Sequence, residues 1–320
     1  MSITICGAVI VLKKAVSISA RPGETAESVL EQAIEIEGIL DEMGAESFQT
    51  VITGASGDIG AIANIITGNS PGNDMRFYAE RCEAMRNFAN KIWNASRFVM
   101  MNLTIDRNGL PEKLELEDKW ILSKLNTLVR EVNENMDKFE LGIAASKIYD
   151  FIWDSYCDWY IELSKPLLNT NAAPVTRWVL QHVLKSILEL LHPIIPFVTE
   201  EIWQHLPGRD GLSIVIAGYP KVDPGLDFPD KAGEMHHIID IITGVRSIRG
   251  ETNISPATRL DIVLRMKSKE VQQSVDDYGF FIRDLARVQS ISFIPEDAPR
   301  PKRCALAVTA QAEVYVPLEG

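Results

Sequence analysis

The sequence predicts a mainly α-helical protein, an antiparallel helical bundle followed by a small α+β lobe. Between Arg81 and Leu206 apolar residues recur at helical spacing in long stretches separated by Gly, Pro and Asn. From Arg259 the period changes from 3.6 to 2. The 320 residues are 46% hydrophobic and 24% charged, ordinary for a globular protein and enough for two domains or one large one.

The stretch that organises the chain is Arg81–Leu103, RCEAMRNFANKIWNASRFVMMNL. Wound at about 100° per residue, it gathers Met85, Phe88, Ile92, Ala95, Ser96, Val99 and Leu103 on one side. Arg86, Asn90, Trp93 and Arg97 form a narrow stripe beside that face, with Asn87 and Asn94 next to it and Phe98 at its flank. The segment is net positive in a chain of formal charge -12. Guanidinium, amide and aromatic groups on one stripe suit single-stranded RNA, through phosphate contacts, base-edge hydrogen bonds and stacking. Periodicity alone favours a plain solvated face with Trp93 partly buried.

Further helices are expected over Leu116–Met136, Glu140–Leu168, Pro174–Leu191, Phe197–Leu206 and Lys231–Asn253. The third carries an aromatic ridge of Tyr149, Trp153, Tyr156, Trp159 and Tyr160, read as core rather than as a base-stacking platform. HPIIP at 192–196 breaks the fourth, because proline removes a donor and clashes with the preceding turn. His192 reads as a helix-end residue, having no second ligand at metal spacing. Glu200 and Glu201 point about 100° apart and do not make a catalytic pair. RLDIVLRM, QSISFIP, CALAVTA and AEVYVPL read as strands, with a helix over Lys269–Val288 after the first. The domains expected are an uncertain α/β segment at 1–65, the bundle at 66–225, a connecting helix at 226–255 and the α+β lobe at 256–320.

The N-terminal apolar run is about ten residues, too short to span a bilayer, and lacks a basic region before it, so a first strand is expected. Four scattered cysteines with no C-x-x-C pair fit a reduced cytosolic protein and give no zinc framework. The acidic balance argues against a general DNA-coating protein. The loop Gly54–Gly60, in TGASGDIG, has the look of a dinucleotide-binding turn, which would make the chain an oxidoreductase-like nucleotide binder. No Tyr-x-x-x-Lys follows, and long helices stand where alternating strands and helices are required. A helical interaction module without RNA affinity is the other alternative.

TGNSPGNDMRF at 67–77, RNFANKIWNASRF at 86–98, FIWDSYCDWYIELSKP at 151–166 and LLHPIIPFVTEEIWQHLP at 190–207 together resemble the valyl-tRNA synthetases of class I, in the part that follows the catalytic core. The resemblance runs from about residue 66 to 320 and implies a bundle of the class I anticodon-binding type. It implies tRNA anticodon stem-loop binding, with valine isoacceptors as partner, within an ATP-dependent valine–tRNA ligase of the cytoplasm. Arg86, Asn87, Asn90, Trp93, Asn94, Arg97 and Phe98 would contact the RNA, and Arg246 and Arg249, in VRSIRGETNISP, would contact phosphate or else form a structural ion pair. ILDEMGAESFQTVITGASGD at 39–58 looks like a worn copy of the segment leading into TGNSPGND. The family's His-Ile-Gly-His motif is absent, all five histidines lying after residue 180, and Lys14–Ser19 does not match its lysine loop. Neither an editing domain nor a heptad-bearing coiled-coil arm is recognisable. Charge developing on ATP phosphates needs those cations and imidazoles in place. No catalytic, cofactor or metal residues are therefore assigned, ATP belongs to the rest of the family's enzyme, and the chain is expected to be monomeric apart from a catalytic part it would work with. The purified chain is expected to give no valine-dependent pyrophosphate exchange above background; exchange proportional to protein concentration would overturn this.

Overall fold

The computed structural model describes residues 79–103, 111, 113–209 and 211–318, with side chains from Asn87 onward. The expected N-terminal strand, the Gly54–Gly60 loop and the side chain of Arg86 lie outside the described residues.

The bundle is built from α1 (Ala79–Asn102), α2 (Leu116–Asp137), α3 (Leu141–Asp150) with its continuations, α5 (Ala173–Leu191) and α6 (Pro196–His205). The single helix expected from Glu140 to Leu168 is one continuous rod, but its middle, Phe151–Tyr160, is π-helical before α4 (Ile161–Leu167) resumes. Its i→i+5 bonding realigns the side chains. Phe151, Tyr156 and Ile161 fall in line toward the core, as do Ser155 and Tyr160, and all five are buried. Trp153 and Trp159 are thereby turned out to the edge and are only half-buried, which corrects the reading of the whole ridge as core. The Cys157 thiol, pushed up to about 12 by burial, is unreactive.

Helix ends follow local chemistry. Pro174, Pro196 and Pro229 stand in the first turns of α5, α6 and α7 (Pro229–Glu251), where a missing N–H costs nothing. His192 ends α5 with Nδ1 2.8 Å from Thr199 Oγ1. Glu200 accepts hydrogen bonds from Ser213 Oγ (2.9 Å) and the Ile214 N–H (3.0 Å), holding the following loop, while Glu201 stands at the surface beside His205. The link then runs back along α2, Asn133 donating to the Pro220 carbonyl and Asn126 clasping Asp223 through both its N–H and its carbonyl.

In the lobe, β1 (Leu260–Met266), β2 (Val288–Ile294), β3 (Cys304–Val308) and β4 (Ala312–Pro317) form a sheet of order β2-β1-β4-β3, with α8 (Lys269–Leu285) crossing between the parallel pair β1 and β2. Ile262, Leu264, Val314 and Val316 are buried on the inner face, which α7 and α8 cover. Gly244 lets α7 approach β3, since a Cβ there would lie 3.2 Å from the Ala307 Cβ. α7 also packs along α2 and so belongs to both layers.

The first turn of α2 buries two adjacent carboxyls, Glu117 at 2% and Asp118 at 1% exposure. Asp118 accepts the Tyr160 hydroxyl at 2.7 Å and the Glu115 N–H at 3.2 Å. Burial, with the Asp118 charge beside it, pushes Glu117 up to about 8; burial also raises Asp118. The donors favour an ionised Asp118, so the pair keeps its proton on Glu117. A carboxyl raised above its unfolded value makes the folded state bind the extra proton, so stability is greatest at and below about 4.5 and falls toward 8. The fall is about 1.4 kcal/mol per pH unit for one full proton. Glu117→Gln is expected to flatten that decline in urea melts taken across pH 4.5–8, and parallel profiles for the two proteins would refute the assignment.

Candidate nucleic-acid interface

α1 turns the expected apolar side inward: Phe88, Ile92, Ala95, Ser96 and Val99 are buried, and Leu103 packs at the core's edge. Ser96 hides its hydroxyl on the Ile92 carbonyl at 2.8 Å. The opposite face exposes Asn87, Asn94, Arg97 and Met101, with Asn90 half-exposed among them. This is the predicted polar stripe, and it carries no carboxylate from Asn87 to Asn102. Arg97 pairs with no acid among the described residues. Three amides and an unpaired guanidinium therefore face outward together, able to donate to bases and phosphates and, through the amide oxygens, to accept.

The rings stand on the two flanks. Trp93 and Phe98 are both half-buried and packed on the core. Lys165 of α4 lies 5.9 Å from the Phe98 ring centre. Trp153 is already engaged: Tyr149 stacks on it at 5.7 Å between centroids and Lys91 Nζ lies 3.5 Å from its centre. Lys91 is held there by Asp158, 2.7 Å away. These two pairings were hidden in the sequence because Trp153 and Asp158 share a side only at the five-residue spacing of a π-helix.

The two predicted phosphate-binding arginines of α7 separate. Arg249 is buried at 9% exposure and donates to the carbonyls of Ala286, Ser255, Thr258 and Arg287 at 2.7–3.2 Å. Its guanidinium tethers the end of α8 to the turn after α7, so the assignment of Arg249 to nucleic acid is corrected. Arg246 is exposed; its Nε and Nη2 donate to the Leu285 carbonyl, and its guanidinium carbon lies 5.2 Å from the Trp159 ring centre. Among the described residues no three His, Cys, Asp or Glu are placed to hold a metal, and no helix is long and apolar enough to cross a membrane.

The described residues thus form a helical bundle with an amide and arginine face free of acids, followed by a small α+β lobe. Residues 118–264 match the family described as the anticodon-binding domain of tRNA ligase. The particular likeness is to valine–tRNA ligases. The chain is 42% identical over 260 residues to that of Clostridium acetobutylicum, covering 79% of this chain and 29% of the relative. It is 41% identical over 262 residues to that of Carboxydothermus hydrogenoformans, covering 80% and 29%, and 40% identical over 289 residues to that of Clostridium tetani, covering 88% and 31%. The chain thus spans under a third of the length of these relatives. A match covering 79% of the chain necessarily takes in α1.

Arg249→Met is expected to cost about 2–4 kcal/mol in urea melts, because charged hydrogen bonds are lost and buried carbonyls are left unpaired. A loss below about 0.5 kcal/mol, the range of an ordinary surface change, would show that the tether is dispensable.

Proposed function

We propose that this chain binds the anticodon stem-loop of valine tRNA, as the anticodon-binding part of a valine–tRNA ligase whose catalysis is carried by other parts of that enzyme. The observation that carries the reading is the acid-free face of α1, with Asn87, Asn90, Asn94 and an unpaired Arg97 presented to solvent in a chain of net charge -12. The valine–tRNA ligase relatives, whose match includes this helix, support the choice of RNA. Arg97 contacts phosphate or a base edge, and Asn90 and Asn94 read base edges. The exposed part of Trp93 or Phe98 stacks on an unpaired base, a mode that fits single-stranded loops. Asn87 and Arg86 extend the stripe toward the start of the helix, and Arg246 adds a phosphate contact from its outward edge. In this reading the protein works as a monomer in the cytoplasm, and ATP is handled by the ligase's catalytic part.

Filter binding of a valine tRNA transcript and its anticodon variants, across a salt series, tests the reading. Arg97→Ala is expected to weaken binding and flatten the salt dependence by about one unit of slope. Asn94→Ala is expected to narrow the gap between the cognate and altered anticodons. Unchanged affinity, slope and discrimination in both folded variants would make the stripe a solvated face.

A further inference from the structure

The last turn of α8 and the strand after it gather arginines from four elements. The carbonyls of Leu285, Ala286 and Arg287 take guanidinium N–H groups from Arg246 and Arg249 of α7. The Val288 carbonyl lies 3.5 Å from Arg259 Nη1, at the start of β1. The same short segment contributes Arg283 and Arg287. Five arginines therefore crowd one corner, and four of them, Arg246, Arg259, Arg283 and Arg287, are exposed. Five acids stand nearby, and three of them are already engaged. Asp261 accepts the Ser290 hydroxyl, Asp158 and Glu162 are paired with Lys91 and Lys165, and Glu251 and Asp284 face solvent.

The five divide by role. Arg246 and Arg249 spend N–H groups on the carbonyls that end α8, where cations are favoured, and Arg259 spends one on the carbonyl that opens β2. Arg283 and Arg287 have no hydrogen bond or ion pair among the described residues, so their guanidinium groups are free. Arg287 is the more informative. It follows α8 and its C-cap Ala286 with φ at 53°, the left-handed position that helix ends ordinarily give to glycine. A side chain with a Cβ is strained there, and among the described residues no hydrogen bond or ion pair of its arginine head compensates. The corner is continuous with the α1 face: α8 touches α4, and Lys165 of α4 stands over the flank where Phe98 emerges.

We infer that Arg283 and Arg287, with the outward edges of Arg246 and Arg259, form a phosphate-contacting corner that holds the backbone of the RNA bound at α1, without reading its sequence. This rests on the anticodon reading above and adds a second, separable surface to it. Guanidinium groups that are free and solvated in the unbound protein bind phosphodiesters with release of counterions, so their contribution appears in the salt dependence.

The test is the double substitution Arg283→Gln with Arg287→Gly in the whole chain, assayed by filter binding of the valine tRNA transcript between 50 and 200 mM salt. Glycine suits the backbone at 287, so the melting temperature should not fall, which separates binding from folding. The salt slope is expected to drop by about two units, so the wild-type advantage should shrink roughly tenfold across that range. The loss should be equal for tRNAs with altered anticodons. A wild type that binds, beside a folded variant with the same affinity and slope, would overturn the corner and leave the anticodon reading standing. A loss confined to particular anticodons would overturn it as a backbone contact. A wild type that binds no tRNA at any salt would remove both readings.

Discussion

The π-helical register of Phe151–Tyr160 is the constraint on which the rest of the bundle depends. Within these ten residues the helix makes a bond or ring contact with four others. Tyr156 donates to the Leu180 carbonyl of α5 at 2.8 Å, and Tyr160 donates to Asp118 at the start of α2. Trp153 and Asp158 together hold Lys91 of α1, and Trp159 lies under Arg246 of α7. Returned to α spacing, the two tyrosines would no longer reach both of their acceptors, and Trp153 would part from Asp158. The wide turn is thus fixed by several partners at once, the condition under which an uncommon backbone conformation persists.

That register also decides how α1 is presented. Phe88 meets Tyr149, Lys91 meets Trp153 and Asp158, and Phe98 approaches Lys165, so α1 runs alongside the rod in the same direction and is fixed along its length. These contacts take up one flank and Trp93 packs the other, leaving the amides and Arg97 outward. A rigid helix carrying few, short polar side chains loses little conformational entropy on binding, which suits a surface meant to discriminate.

Much of this is legible in the sequence, because the signals are local. Helical periodicity gives the helices to within two residues, except that the one expected over Lys269–Val288 ends at Leu285 and Val288 opens a strand; proline marks their starts and breaks, and the change to period 2 announces the lobe in its observed order of strands and helix. The buried side of α1 was readable in the same way. What is not legible depends on register or on distant backbone. The outward turn of Trp153 and Trp159 follows from the i→i+5 segment, which an α-helical wheel cannot produce. The burial of Arg249 follows from carbonyls that lie up to 38 positions away. The acid pair at Glu117 and Asp118 looks like an ordinary acidic first turn until Tyr160 is placed over it.

The arginines show why residue type at helical spacing underdetermines function. Arg97, Arg246, Arg249 and Arg283 all lie on helices, and sequence alone gives each the same prospects. Their fates are set by the nearest unpaired carbonyls. Where α8 ends, its last carbonyls need donors, and Arg246 and Arg249 are close enough to supply them. A guanidinium committed in this way is fixed: Arg246 keeps only its outward edge for a phosphate, and Arg249, buried with all three nitrogens engaged, is out of a phosphate's reach. Among the described residues Arg97 and Arg283 donate to no such carbonyls and keep their hydrogen-bonding capacity for a partner. In an acidic chain, free arginines of this kind, rather than the total count of basic residues, mark where an anion can bind.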